Sequence, residues 1–175
     1  GHRVTLFDAA DEIGGQFNLA KTIPGKEEFH ETLRYFRHRI DETGVELRLS
    51  TPATTELLSG FDEVVLATGV TPRRVDFPGH DHPKVVGYLD VLQRRVVPGS
   101  RVAIIGAGGI GFDVAEFLVQ EAPSPSLDPT RWMAEWGVDR HFRTRGGLVP
   151  ARPEPSPRQV WLLQRSDGRP GARLG

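Results

Sequence analysis

The sequence contains no cysteine, which removes disulfide frameworks, thiolate metal sites and redox-active C-x-x-C pairs from this chain. Any redox chemistry it takes part in must run on bound cofactors. Charge of one sign is missing too: the formal charge is −1 over 175 residues, so nothing marks a polyelectrolyte surface for nucleic acid or anionic lipid. No apolar run approaches the ~20 residues a membrane span needs, and nothing in the residues present resembles a signal peptide. These absences set the expectation of a cytoplasmic protein with neither a nucleic-acid nor a membrane partner. Of the histidines, only His80 and His82 lie close together, and they stand in a Gly/Pro-rich connection that reads as a solvated loop. No metal ligand is assigned.

What is present is ordinary for a globular chain, 38% hydrophobic and 26% charged, and enough to bury a core. The organising stretch is Val102-Ala103-Ile104-Ile105 followed by Gly106-Ala107-Gly108-Gly109-Ile110-Gly111. A short apolar run reads as a strand buried on both faces, G-x-G-x-x-G as a tight turn, and Ile110 to Gln120 as a helix with Val114, Phe117 and Leu118 on one face. That order is what a dinucleotide-binding unit requires. Gly106 permits the turn, Gly108 lets backbone approach a pyrophosphate, and Gly111 allows close packing of the helix, whose positive start would hold the phosphates along with Gly109. Asp113 and Glu116 on that helix read as a solvated face.

Upstream, Val4-Thr5-Leu6-Phe7 reads as a strand ending at Asp8, with Gly14-Gly15-Gln16 soon after. An acidic strand end takes ribose hydroxyls in a dinucleotide-binding unit, about 20 residues beyond the glycines. No room for such glycines precedes Asp8, so the chain is expected to begin inside a Rossmann unit and to belong to a longer protein. A plain strand-end aspartate is the alternative. A helix is expected from Lys26 to about Thr43, with Phe29, Leu33, Phe36 and Ile40 on one face and Gly44 as its C′ residue. Lys26 at its start reads equally as a contact to a cofactor phosphate or ribose and as a solvated lysine. Val45, Leu47 and Leu49 alternate with Glu46, Arg48 and Ser50 as a half-exposed strand. Phe61 to Gly69 reads as a buried strand ending in Ala67-Thr68-Gly69, small residues that let a ligand approach backbone.

Residues 72–87 read as a crossing between domains, and Tyr88 to Arg95 as a short helix. Beyond the fingerprint helix the next credible strand is Gln159 to Leu163, so 121–157 reads as an insertion, with a short helix at Arg131 to Gly137 that sets Trp132 and Trp136 on one face for packing. Gln164 and Arg165 follow the strand. An NAD site places a carboxylate there, whereas a 2′-phosphate needs a cation, so the position prefers NADPH; Asp167 weakens that reading and a solvated arginine is its alternative. The fold class expected is α/β: two incomplete Rossmann-like three-layer domains with parallel sheets, a partial dinucleotide-binding domain at 1–75 and a partial NADPH-binding domain at 76–175.

The acidic strand end with GGQ, the ATG strand end followed by Pro72-Arg73, and GAGGIG resemble the two-dinucleotide flavoprotein reductases. More narrowly, Ile13-Gly14-Gly15-Gln16-Phe17-Asn18, Ile23-Pro24-Gly25-Lys26-Glu27-Glu28-Phe29, Asp81-His82-Pro83-Lys84-Val85, Glu135-Trp136-Gly137-Val138-Asp139, Gly146-Gly147-Leu148 and Ser156-Pro157-Arg158-Gln159 are similar to the C-terminal half of the bacterial NADPH-dependent 2,4-dienoyl-CoA reductases, relatives of trimethylamine dehydrogenase and old yellow enzyme. The resemblance spans nearly the whole chain, insertion included. It implies that Asp8 binds the FAD ribose, that Gly14, Gly15, Gln16, Lys26 and backbone near Ala53 complete the adenosine and pyrophosphate contacts, and that Thr68 and Gly69 bring backbone to the flavin. It implies that Gly106, Gly108, Gly109 and Gly111 hold the NADPH pyrophosphate, with Gln164 and Arg165 at the 2′-phosphate. In that family electrons run from NADPH to FAD, through a [4Fe–4S] cluster, to FMN in an N-terminal barrel where an acyl-CoA of unsaturated fatty acid oxidation is reduced. This segment would pack on that barrel and carry only the entry of the route. No catalytic residue is expected here, since hydride transfer is the cofactors' chemistry. The other readings are a different FAD/NAD(P)H reductase or electron-transfer subunit, and a non-catalytic nucleotide-binding module.

Overall fold

The computed structural model describes residues 1–73 and 75–172. The chain divides into two compact units: Gly1–Lys21 with Glu28–Val85, and Thr22–Glu27 with Val86–Gly175. The first is unit 1 and the second unit 2.

Unit 1 begins with β1 (Thr5–Phe7), followed by the short helix α1 (Phe17–Ala20), the long helix α2 (Phe29–Glu42) and β2 (Glu46–Arg48). β1 and β2 pair in parallel, Leu6 opposite Leu47. The alternation expected around β2 is present, with Val45, Leu47 and Leu49 half-buried and Glu46, Arg48 and Ser50 exposed. α2 starts at Phe29 rather than Lys26; ahead of it Lys26 N–H closes a turn on Ile23 carbonyl at 3.0 Å, and residues 22–27 group with unit 2. It stops where Gly44 takes φ +68°; Val45 N–H reaches Ile40 carbonyl at 3.1 Å and Gly44 N–H reaches Asp41 carbonyl at 3.2 Å, a Schellman closure. No residue of α2 is fully buried. Phe29, Leu33 and Ile40 are half-buried and Phe36 is exposed. α3 (Thr55–Leu58) is capped by Thr54, whose hydroxyl accepts Leu57 N–H at 3.3 Å.

The strand expected at Phe61 to Gly69 does not form. Residues 61–70 adopt no ladder, and Val65 and Leu66 are 88% and 80% exposed. Apolar β-branched residues mark a capacity for pairing; a strand exists only where a neighbour supplies its hydrogen bonds. Here β1 and β2 make the two-stranded sheet between themselves. The segment is tied to unit 1 through other contacts: Phe61 meets Phe7 edge-to-face at 5.8 Å, and Gln16 Nε2 donates to Val70 carbonyl at 3.2 Å.

In unit 2, α4 (Tyr88–Leu92) buries Val91 and Leu92, and packs on the helix that follows the glycine turn. β3 (Arg101–Ile105) leads into α5 (Gly109–Val119), then a 3-10 turn at Pro125–Leu127, α6 (Pro129–Trp136), a second 3-10 turn at Arg145–Gly147, and β4 (Gln159–Leu163). β4 occupies the range expected from sequence. β3 and β4 pair in parallel with Ala103 opposite Trp161. The expectation that β3 is buried on both faces is corrected: exposed and half-buried residues alternate along it, and Ile105 is 62% exposed. A run of consecutive apolar residues satisfies a strand covered on both faces, but among the described residues α5 covers one face only.

α5 buries Gly111, Val114 and Leu118, and Leu118 is 2% exposed. Its last turn is closed by Arg158, which donates from Nη1 to Leu118 carbonyl at 3.2 Å and from Nε to Pro98 carbonyl at 3.4 Å, a cation at the negative end of a helix. The inserted α6 is set by its own caps. Asp128 accepts Thr130 N–H at 2.8 Å and Arg131 N–H at 3.2 Å, and Pro129 occupies the first helical position. At its end a Cβ on Gly137 would lie 2.2 Å from Val149 carbonyl oxygen, so only glycine lets the returning 149–151 strand of backbone come so close. Trp132 and Trp136 do share a face, their rings 6.1 Å apart, yet both remain exposed; they pack on each other more than on a core.

Candidate nucleotide-binding site

The strand–turn–helix of unit 2 has the geometry that its glycines demand. Gly106 sits at φ +119° and donates its N–H to Leu163 carbonyl at 2.8 Å, so the turn leaves the sheet from the paired end of β3 and β4. A Cβ on Gly111 would lie 2.0 Å from Gly106 carbonyl oxygen, inside any real contact distance. The helix is therefore clamped to the turn with no room for a side chain, the role the third glycine of the fingerprint was expected to fill. Over Gly106 and Gly108 a Cβ would meet nothing within 4 Å, which leaves that backbone open to a ligand. Gly109 opens α5, and the first intrahelical bond runs from Phe112 N–H to Gly108 carbonyl at 3.1 Å. The N–H groups ahead of it lie at the positive end of the helix dipole, where an anion is favoured.

Because β3 and β4 are parallel and in register up to Ile105 opposite Leu163, the residues that follow each strand emerge on one edge. Gln164 and Arg165 thus stand at the same edge as the glycine turn. Gln164 Nε2 donates to the Ser166 and Gly168 carbonyls, both at 2.8 Å, which fixes the 164–168 turn instead of reaching outward. Arg165 is exposed.

In unit 1, Asp8 follows β1 directly, half-buried, and its Oδ1 accepts Ala10 N–H at 2.9 Å while its carbonyl accepts Thr51 N–H at 2.9 Å. Gly14 lies at φ +123°, and a Cβ there would come within 2.6 Å of Leu33 Cδ2; Gly15 follows at φ +48°. Gln16 reaches Val70 carbonyl and so ties the glycine pair to the segment after Gly69. Gly69 itself has φ +72°, and Thr68, Gly69 and Ala53 are all exposed.

Lys26 takes a role that neither sequence reading proposed. Its Nζ lies 2.6 Å from Asp113 Oδ1 on α5, with the two side chains 38% and 32% exposed. Asp113 accordingly is not a bare solvated carboxylate. The pair is separated by 87 positions in the chain, and no local spacing could have signalled it. Next to it, partial burial pushes the Glu27 carboxyl up, but its own backbone N–H and the hydroxyls of Ser124 and Ser126 outweigh this and hold it below the usual carboxylate range. Sequence reasoning also missed Asp139. Its carboxylate accepts the Thr144 hydroxyl at 2.8 Å and the N–H groups of His141 at 2.9 Å, Thr144 at 2.8 Å and Arg143 at 2.7 Å, and these donors lower its pKa to about 2. His80 Nδ1 lies 2.9 Å from Phe77 carbonyl and 3.3 Å from Asp76. Among the described residues no group of three or more His, Cys, Asp or Glu could hold a metal ion, and no helix is long and apolar enough to cross a membrane.

A parallel β–α–β unit with a glycine turn open at the helix start defines a dinucleotide-binding protein. Residues 1–123 match the family described as pyridine nucleotide-disulphide oxidoreductase. The chain belongs to that family, whose members bind FAD and use NAD(P)H. It is 36% identical over 134 residues to a metal reductase of Desulforamulus reducens, covering 73% of this chain and 20% of that protein. It is 34% identical over 122 residues to a bilirubin reductase of Mediterraneibacter gnavus, covering 69% and 19%. Among solved structures it resembles a 2-naphthoyl-CoA reductase in complex with 2-naphthoyl-CoA, at TM-score 0.63 and 35% identity, over 68% of this chain and 18% of that one. The chain thus spans about a fifth of the length of the curated relatives it matches.

Proposed function

We propose that this chain is the nucleotide-handling segment of an NADPH-dependent flavoprotein reductase, with an NADPH-binding domain at 76–175, interrupted by an insertion at 121–157, and part of an FAD-binding domain at 1–75. The observation that carries this reading is the turn from Gly106 to Gly111, closed so tightly that a Cβ on Gly111 would lie 2.0 Å from Gly106 oxygen, yet open over Gly106 and Gly108. That cradle fits a pyrophosphate. The backbone N–H groups at the start of α5 hold it, and Arg165, at the same sheet edge, takes a 2′-phosphate that a carboxylate in its place would repel. For FAD, Asp8 at the end of β1 fits the ribose hydroxyls, with Gly14, Gly15 and Gln16 shaping the adjoining backbone. Unit 1 offers no glycine turn leading into a long helix among its described residues, so its fit is to the adenosine end. Hydride transfer between a nicotinamide and a flavin is the chemistry those cofactors supply when bound; this chain's residues bind and orient them.

The finer reading is a reductase of the 2,4-dienoyl-CoA type, acting on an acyl-CoA. The likeness to a naphthoyl-CoA reductase supports a CoA thioester as acceptor. An FMN and a [4Fe–4S] cluster would be held elsewhere in such a protein, on a barrel against which this segment packs, because a chain without cysteine supplies no thiolate to a cluster. A second reading is favoured by the relatives themselves. Proteins named for reduction of metal, bilirubin and cinnamate share this segment, which supports a module that delivers reducing equivalents to whichever acceptor the rest of the protein selects. The test is an anaerobic titration of the full-length protein with NADPH and then NADH. Bleaching of flavin absorbance by stoichiometric NADPH, with a much weaker response to NADH, is the expected result. A colourless protein, or one that ignores both nucleotides, would overturn the reading.

A further inference from the structure

Residues 22–27 are flanked in sequence on both sides by unit 1, yet they group with unit 2. Ile23 among them is 2% exposed. Two contacts tie them to unit 2: Lys26 Nζ lies 2.6 Å from Asp113 Oδ1, and Ser126 Oγ donates to Glu27 Oε2 at 2.8 Å. Of these, the ion pair falls on the helix whose start is the phosphate cradle. Asp113 stands four residues beyond Gly109, about 6 Å along the axis. Helical side chains lean toward the helix N-terminus, so the Asp113 side chain leans toward the first turn of α5, on the face it shares with Gly109. Glu116, the next acid on α5, accepts from Gln120 Nε2 toward the other end of the helix.

A carboxylate leaning toward the first turn stabilises the helix start but opposes a diphosphate bound to it, since like charges partly shielded from water repel. Resting on the nucleotide-binding reading above, we infer that Lys26 is a positioning residue for the nicotinamide nucleotide: its ammonium holds the Asp113 carboxylate and cancels its charge beside the phosphate cradle. Lys26 therefore acts on the nucleotide through Asp113. This separates it from the sequence-based expectation, in which Lys26 touches FAD directly.

The test is a double-mutant cycle in the full-length flavoprotein, reading the Kd for NADPH by titration, flavin content by absorbance, and thermal unfolding as a check on folding. Lys26→Met leaves an uncompensated carboxylate and weakens NADPH binding about tenfold, an effect that shrinks as salt is raised. Lys26→Arg keeps the cation and binds within about twofold of the parent, the scatter expected of a conservative exchange at a partly exposed pair. Asp113→Asn in the Lys26→Met background restores binding, because the charge that Lys26 neutralised is gone. If the double variant binds as weakly as Lys26→Met, or if Lys26→Met leaves the Kd unchanged, the inference is wrong. Loss of flavin from Lys26→Met with an unchanged nucleotide Kd would overturn it in favour of a direct FAD contact. A parent protein that binds flavin but no nicotinamide nucleotide would overturn both this inference and the reading beneath it.

Discussion

Unit 1 and unit 2 each pair two short parallel strands across an intervening helical segment, β1 with β2 and β3 with β4, and each carries glycines after its first strand. They differ in what the crossing helix does. α5 is predominantly apolar and lays Val114 and Leu118 into a core that also contains Ile23, Val91 and Leu92. α2, with the sequence FHETLRYFRHRIDE, buries no residue fully, and among the described residues of unit 1 only Ile13 is a buried apolar side chain. The glycines follow the same division. Gly111 is required because the helix presses on the turn, whereas Gly14 is required by its backbone angle and by Leu33 and Asn18 beside it. The same letters in two places thus answer to different physics, and the stronger constraint lies where a continuous apolar helical face meets the sheet.

The largest test of this contrast is Gly111→Ala. With Gly106 oxygen 2.0 Å from the new Cβ, turn and helix must separate, and a loss of at least about 3 kcal/mol is expected with NADPH binding abolished. Calorimetry of parent and variant, followed by nucleotide titration, checks it; an unchanged unfolding temperature would show that the turn has room for a side chain at position 111. Next in size is Leu118→Ala, expected to cost about 2–4 kcal/mol through lost burial and a cavity, against about 1 kcal/mol or less for Leu47→Ala in half-buried β2. Equal losses in chemical denaturation would erase the difference between the units.

Arg165→Ala should weaken NADPH binding by about 10- to 100-fold and leave NADH nearly untouched, the signature of a charge-assisted contact to a 2′-phosphate. Parallel titrations decide it, and equal effects on both nucleotides would remove Arg165 from the 2′-phosphate site. The smallest effect is at Asp139. Its folded pKa of about 2 lies below the ordinary 3.8, so whatever stability it contributes is fully present above pH 3.8 and lost as pH falls through about 2. Asp139→Asn should therefore lower the unfolding temperature slightly at neutral pH, and the gap from the parent should close in acid. A gap that stays constant down to pH 2 would mean that the carboxylate's charge plays no part.

The elements most legible in sequence were those whose signals are local. β4 was expected at its observed range, the α2 stop at Gly44 follows from one glycine, and the role of Gly111 follows from its spacing in the fingerprint. Misread elements were those in which sequence reports a capacity rather than a partner. The apolar residues of 61–69 can pair, but no neighbouring strand among the described residues pairs with them, and they lie exposed. The apolar run of β3 suits burial on both faces, but one face is open. Asp113 looked like a surface acid because its lysine stands far away in the chain.

By itself, the sequence determined the glycine turn and its helix, the stop of α2 at Gly44, the caps of α6, the alternation around β2, and the exclusion of thiol chemistry, all of which depend on side chains a few residues apart or on composition alone. Only the tertiary structure decided which strands pair, which faces are covered, that residues 22–27 group with unit 2, and that Lys26 meets Asp113. Those outcomes depend on contacts between distant segments, where burial and electrostatic energy are set by what comes to lie opposite each residue rather than by the residue itself.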